Sequence, residues 1–290
     1  PEEEQKQAKL EAELKSAKDV LAEIKRDLPK LQTAWEKEFK KQIDSTLPVW
    51  TPFQVSAAKS IGGATLTKQN DDSYLVSGTN PKNDTYEIEG VISPGEFTGF
   101  LLEVFPDQSL PNQSLGRASN GNFVLTAVEA EISVQGQDKP IVATFKRAAA
   151  DYEQKDYDVN KVAITPPKEP KDKKAKKTTP SAPAGWAIDG GDSDKRLPRK
   201  AMFVCEPLNV PEGATLTIRL HHGSNFSEHQ IGRFRIKTTS IAPSLLHLDG
   251  GRASEEIRNA LAAEPSKRTK AQADALLSLI HISEPTRPER

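Results

Sequence analysis

The chain has a single cysteine, Cys205, among its 290 residues. One thiol excludes an internal disulfide, a thiolate zinc cluster and a c-type haem attachment within these residues. No apolar run approaches the roughly 18 residues that a membrane-crossing helix needs. Charge of one sign is also missing. Lys+Arg 40 against Asp+Glu 41 leaves a net charge of −1, so no global field argues for nucleic acid or an anionic membrane. No glycine-rich phosphate loop follows a strand and opens a helix. No G-x-S-x-G elbow appears, and no spacing pairs two carboxylates for glycoside hydrolysis. The expectation is a protein that is not an enzyme, with no catalytic residue, metal or cofactor of its own in these residues.

Apolar residues make up 36% of the chain and charged residues 28%. That is polar for one compact globule, so part of the chain is expected outside any core. The sequence starts at Pro1 inside a helical pattern, and the expectation is that a preceding segment is missing. The stretch beginning Ser278-Leu-Ile-His-Ile-Ser-Glu-Pro-Thr-Arg287 resembles translated sequencing-adaptor DNA, so residues 278–290 are set aside as an adaptor-derived artefact.

Residues 1–45 read as a heptad helix. Leu10, Leu14, Ala17, Leu21, Ile24, Leu28, Leu31 and Trp35 alternate spacings of 4 and 3, which places them on one seam. Glu11, Glu13, Lys15 and Lys18 lie on the other positions. The seam suits a coiled-coil partner or a neighbouring domain, with the partner helix expected outside this chain. Pro29 removes a backbone donor and predicts a kink or break near Leu28.

From residue 46 to 242 the period changes to that of strands. Short β-rich runs are separated by Gly, Pro, Asn and Asp clusters. The expected strands are 64–67, 73–77, 85–92, 98–105, 122–134, 141–147, 201–206, 215–221 and 233–238. Leu216, Ile218 and Leu220 share one face, as do Phe234 and Ile236, and Asn70-Asp-Asp signals a hairpin turn. Strands without intervening helices predict a mainly β fold, a jelly-roll-like two-sheet sandwich flanked by the heptad helix and a short C-terminal helical pair. Residues 165–184 interrupt it. Six lysines and two acids between Pro166 and Lys177, followed by further prolines, make packing unfavourable. A solvated loop is favoured over a basic nucleic-acid arm, since no aromatic residue is interleaved to stack on bases. Residues 243–277 read as a helical entry to a further domain, with Ser254 capping one helix and Thr269 a second that ends at Leu277.

The chemistry-bearing residues are few. His221 and His222 are adjacent on a strand and point to opposite faces, so they do not share a metal ion. His229, in a loop near Arg233, suits anchoring hydrogen bonds better than metal ligation. Cys205 reads as a buried structural thiol. The polar loop 110–123 is the most unusual segment, with Asn120-Gly121 favouring a turn of positive φ. Arg117, Asn120 and Asn122, with Trp186 or Trp50 as a stacking plane, offer groups for a sugar. They equally suit satisfying buried backbone groups at the sandwich edge, which is the favoured role. The candidate ligand-binding set is therefore Arg117, Asn120, Asn122, Trp186, His229 and Arg233.

Several motifs occur in a consistent order. They are Trp35-Glu36, Gly63-Ala-Thr-Leu-Thr, Asp72-Ser73, Ser77-Gly78, Asn83-Asp-Thr-Tyr86 and Ser109-Leu-Pro. Gly116-Arg117, Asn120-Gly-Asn-Phe-Val-Leu125, Gly185-Trp-Ala-Ile-Asp189 and His229-Gln-Ile-Gly-Arg-Phe-Arg-Ile236 follow. Together with Arg268-Thr269 and Gln272, they resemble the region between the two large domains of unknown function in planctomycete cytochrome-associated proteins, over residues 30–277. The resemblance implies a large, exported or periplasmic multidomain protein whose c-type haem sits outside these residues, since C-x-x-C-H is absent here. It also implies a galactose-binding-like or carbohydrate-binding sandwich. The implied partners are a polysaccharide or glycan and adjacent domains of the parent chain, with no nucleic acid and no membrane span. The family's biochemical role is poorly defined, so no catalytic residue is transferred. The functional expectations, in order, are a non-catalytic carbohydrate-binding module, a structural spacer, and an unrecognised hydrolase. The last requires a cleft joining Glu206 or Asp189 with His229.

Overall fold

The computed structural model describes residues 2–45, 48–164, 185–251 and 253–283. The Lys/Pro-rich segment 165–184 and residues 284–290 lie outside the described residues. The chain divides into a β unit, residues 48–251, and a helical unit built from residues 1–47 and 252–290.

The helical unit contains α1 (Glu2–Asp44), α3 (Glu255–Ala262) and α4 (Lys270–Ser283). α1 runs unbroken through Pro29, where the sequence predicts an interruption. The Thr33 hydroxyl donates to the Pro29 carbonyl at 2.8 Å, one turn on, and the flanking Ala, Leu, Glu and Lys residues favour helix strongly enough to carry the missing donor. The Ser254 hydroxyl accepts from Ile257 N at 3.3 Å and caps α3. Thr269 and Gln272 form a reciprocal capping box, the hydroxyl accepting from Gln272 N at 3.2 Å and the amide oxygen from Thr269 N at 3.0 Å. α4 then continues to Ser283 rather than ending at Leu277. The C-terminal third of α1 meets the end of α3 and the connection that follows it, residues 261–268. Arg268 donates to both carboxylate oxygens of Glu36, at 2.7 and 2.8 Å, and Phe39 is buried with its ring stacked 4.6 Å from Trp35. Part of the partner surface expected outside the chain is therefore supplied by the chain itself.

The β unit runs through β1 (Thr51–Pro52), β2 (Gln54–Ser60), β3 (Ala64–Lys68), β4 (Tyr74–Gly78), β5 (Asp84–Val91) and β6 (Gly95–Val104). It continues with β7 (Val124–Leu125), β8 (Ala127–Ser133), β9 (Ile141–Val142), β10 (Phe145–Ala150), the short helix α2 (Asn160–Ile164) and β11 (Trp186–Ala187). β12 (Arg199–Val210), β13 (Thr215–His222) and β14 (Arg233–Thr239) complete it. All nine expected stretches contain strand. β1, β2 and β11 were not expected, because they are short or built from small polar residues at sheet edges.

The strands make an antiparallel sheet in the order β10-β12-β6-β14-β4-β3, with β1 also on β14, and a second in the order β2-β5-β13-β8-β9. β7 and β11 form a small ladder of their own. The chain crosses between the large sheets from β1 to β2, β2 to β3, β4 to β5, β5 to β6, β6 to β8, β9 to β10, β12 to β13 and β13 to β14, so the expected jelly-roll-like sandwich is the observed fold. Alternation fills the space between the sheets. Tyr86, Ile88, Leu216, Ile218, Leu220, Val128 and Ile132 of the second sheet share one buried cluster with Phe100, Leu102, Phe203, Phe234 and Ile236 of the first. The segments 49–50 and 241–248 cover the other face of the first sheet, where Val49 and Leu246 pack on Leu101, Met202 and Val204.

The outer face of the second sheet is polar. Arg219 donates to Glu87 at 2.8 Å and to Glu131 at 2.7 Å, with Glu129 at 3.8 Å. These positions alternate with the buried apolar ones, so the same period that builds the core also places the ionic row on the opposite side.

Candidate binding cleft

The register of β5 on β13 sets Thr85 beside His221 and Asp84 beside His222. Strand alternation then separates the two imidazoles, as the sequence predicts. His222 turns into the interior, with its ring centroid 4.7 Å from Tyr86. Burial, with a smaller contribution from His221, pulls its pKa down to about 3, so the ring is neutral at physiological pH. His221 turns outward, with its Nδ1 3.1 Å from the Thr85 hydroxyl. Its Nε2 is 3.5 Å from Glu129 Oε1, beyond a good hydrogen bond, and is buried without a hydrogen-bond partner.

His221 lines an open cleft of about 690 Å³ at this end of the sandwich. Ile61, Asn83, Thr85, Thr126 and Lys161 line it as well. Asp84 builds the floor. Its carboxylate accepts from the Ser60 hydroxyl at 2.6 Å, Gly62 N at 2.7 Å and Thr85 N at 2.7 Å, which pins the turn that carries Ile61. Gly62 is required there, since a Cβ would lie 2.6 Å from the Pro81 ring and 2.8 Å from the Asp84 carboxylate. On the opposite wall, the Thr126 hydroxyl donates to the His221 carbonyl at 2.9 Å and accepts from Gly223 N at 2.9 Å. The side-chain amide of Asn83 faces the carbonyls of Lys82 and Ser224. Lys161, exposed on α2, brings an ammonium group.

The cleft thus offers hydroxyl, amide, imidazole and ammonium groups beside the exposed apolar side chain of Ile61, with no Phe, Tyr or Trp ring in its lining. Such a set suits hydrogen bonding to a ligand rich in hydroxyls. Among the described residues, no group of three His, Cys, Asp or Glu side chains could hold a metal ion.

The residues singled out from the sequence lie elsewhere, and most are engaged with the protein. Arg117 is buried and donates to the carbonyls of Thr79 and Gly78 at 2.8 and 2.9 Å. Asn122 is buried, donating to Gln154 Oε1 at 2.8 Å and accepting from the amides of Phe123 and Ile188 at 3.0 and 3.2 Å. Asn120 is exposed and accepts from Asn122 N at 3.0 Å, and Gly121 has a φ of 78°, so the expected turn is present. Trp186 is fully buried, edge-on to Phe123 and donating to the Tyr152 carbonyl at 2.8 Å, which leaves no open ring face for a sugar. Trp50 is half-buried against the cluster on the outer face of the first sheet. Arg233 donates to Ser73, Asp107 and Asp71 at 2.9, 3.1 and 2.9 Å. His229 is half-buried with Nδ1 2.7 Å from the Ser227 carbonyl.

Backbone pairing brings part of this set together. Arg117 N donates to the Gln230 carbonyl and Val124 N to the His229 carbonyl, both at 2.9 Å. The loop 116–124 is thereby laced to the segment 229–231, and Arg117 and His229 lie on adjoining strips of chain. The cleft residues Asn83, Thr85, Thr126 and Lys161 escaped sequence reasoning because they are ordinary polar residues drawn from three distant segments of the chain. The outward member of the His221-His222 pair was the one signal of the face they share.

No protein-family profile matches the chain, and no curated protein matches it. Among solved structures, a chain from work on the promiscuous specificity of carbohydrate-binding modules of the β-sandwich superfamily is similar over 60% of this chain, at 12% identity and a TM-score of 0.16. The match covers 56% of that chain. A likeness this slight carries no argument about ligand or function.

Proposed function

We propose that residues 48–251 form a non-catalytic carbohydrate-binding module, with the ligand held in the cleft beside His221. The observation that carries this reading is the cleft itself. Its volume of about 690 Å³ falls within the roughly 300–1,000 Å³ of small-ligand sites. Its wall presents two threonine hydroxyls, an amide and an ammonium around an imidazole whose Nε2 lacks a hydrogen-bond partner. In this reading the module belongs to an exported, cytochrome-associated parent, as the order of its motifs implies.

The experiment is affinity electrophoresis and a glycan array with the full chain, repeated with His221→Ala and Thr85→Val. Retention on a polysaccharide that both variants weaken at least tenfold, with unchanged unfolding midpoints, is the expected result. Retention that neither variant alters places the ligand elsewhere.

A second reading, a scaffold that only positions neighbouring domains, draws on the internal bonding of Arg117, Asn122, Trp186 and Arg233. Under it, Arg117→Ala, Asn122→Ala and Trp186→Ala lower the unfolding midpoint and alter no affinity. Failure of the full chain to bind any polysaccharide favours the scaffold.

A further inference from the structure

The seam of α1 is covered from Trp35 onward but bare before it. Leu10, Leu14, Leu21, Ile24, Leu28 and Leu31 are between 43% and 65% exposed. From Leu10 to Leu31 the seam spans three heptads, about 31 Å of helix at 1.5 Å per residue. A single helix gains little stability from propensity alone, and its apolar stripe calls for a partner. Pro29 follows Leu28 on the side away from the seam, so its ring does not obstruct a neighbour.

We infer that α1 pairs with α1 of a second copy of this chain, parallel and in register. Charge decides the occupant and its direction. With Leu14, Leu21 and Leu28 at heptad position a and Leu10, Ala17, Ile24 and Leu31 at d, the flanking g positions include Lys6, Glu13, Val20 and Asp27. The e positions include Glu11, Lys18 and Gln32. In a parallel pair each g residue faces the e residue five positions on in the partner. Lys6 then meets Glu11 and Glu13 meets Lys18, each twice by symmetry. Asp27 meets the neutral Gln32, and no like charges face each other. Turned antiparallel with Leu14 opposite Leu31, the flanks give no opposite-charge pair. Val20 at position g adds an exposed apolar side chain to the same strip. This inference is independent of the carbohydrate reading, since it uses no residue of the β unit.

Light scattering and sedimentation equilibrium on the full chain test it, with two variants. The wild-type chain is expected at twice its monomer mass, and Leu21→Lys with Ile24→Lys is expected to halve that mass without changing the β-sheet signal. Ala17→Cys, at a d position, is expected to form a disulfide-linked dimer under mild oxidation, because residue 17 meets its own copy only in a parallel, in-register pair. Cys205 is buried and does not compete. A wild-type chain that stays monomeric up to its solubility limit overturns the proposal. So does a dimer that survives the double lysine variant, or one in which Ala17→Cys fails to cross-link.

Discussion

The ring of Tyr86 on β5 stacks against that of Phe234 on β14, with centroids 5.8 Å apart and planes 12° from parallel. The two residues belong to different sheets, so this contact clasps the sandwich at its centre. The Tyr86 hydroxyl also donates to the Ile231 carbonyl at 2.9 Å, just ahead of β14. Tyr86→Phe keeps the stack but leaves that buried carbonyl without its donor, at a cost of about 1–2 kcal/mol. Tyr86→Ala removes both and opens a cavity, at a cost of about 3–5 kcal/mol. Urea unfolding of the two variants measures the difference. Equal losses would show that the ring contributes nothing beyond its hydroxyl.

Stability depends on pH through His222. Its folded pKa of about 3 lies below its ordinary value of 6.5 because burial disfavours the charged ring. The unfolded chain takes up a proton as pH falls through 6.5, and the folded chain does not until near 3. Stability therefore declines over this window as pH falls, by at most about 1.4 kcal/mol per pH unit. Carboxylates held low by cations, such as Glu36 by Arg268 and Glu87 by Lys59 and Arg219, add their own losses only as pH falls through the carboxylate range. The interval from pH 6.5 to 5 isolates the histidine. Unfolding midpoints across that interval should slope for the wild type and flatten for His222→Gln; parallel slopes would contradict the assignment.

The pair of Glu36 and Arg268 joins α1 to the helices that follow the sandwich. The Arg268 side chain is only 5% exposed and that of Glu36 14%, so the pair is largely shielded from water. Arg268→Ala strands the carboxylate and is expected to cost about 3 kcal/mol of the helical unit's stability, whereas Glu36→Gln, which keeps an acceptor, is expected to cost less. Limited proteolysis reads this directly, as faster cleavage within residues 253–283 for Arg268→Ala. An unchanged digestion pattern would mean that Phe39 and its neighbours hold the helices without the ion pair.

Cys205 faces the core of the sandwich, with its thiol pushed up to about 12 by burial. The thiolate that reacts with disulfide reagents is then nearly absent at neutral pH. A colorimetric thiol titration is expected to find no reactive group in the native protein and one in denaturant. Rapid native reaction would show that the strand β12 opens locally.

Local features of this protein were legible in the sequence where a side chain acts on its own neighbourhood. Leu216, Ile218 and Leu220 announce a strand by their period, Asn120-Gly121 announces its turn, and Ser254 and Thr269 announce their helix starts. β2 was not legible, because Gln54-Val-Ser-Ala-Ala-Lys-Ser60 is an edge strand of small residues whose extended state depends on pairing with β5. Pro29 misled for a related reason. The rule that proline breaks a helix is local, and the long helix on both sides of it outweighs one missing hydrogen bond.

The sequence by itself determined which residues alternate inward, and hence that a β-sandwich forms between helical ends. Only the tertiary structure decided where the polar groups go. Trp186 and Arg117, which read as ligand groups, are drawn inward because buried backbone carbonyls need their donors. Thr85, Thr126, Lys161 and His221, ordinary in the sequence, meet around one cleft because sheet register brings distant segments together. Period is a property of neighbours along the chain, whereas a site depends on which non-neighbours the core forces into contact.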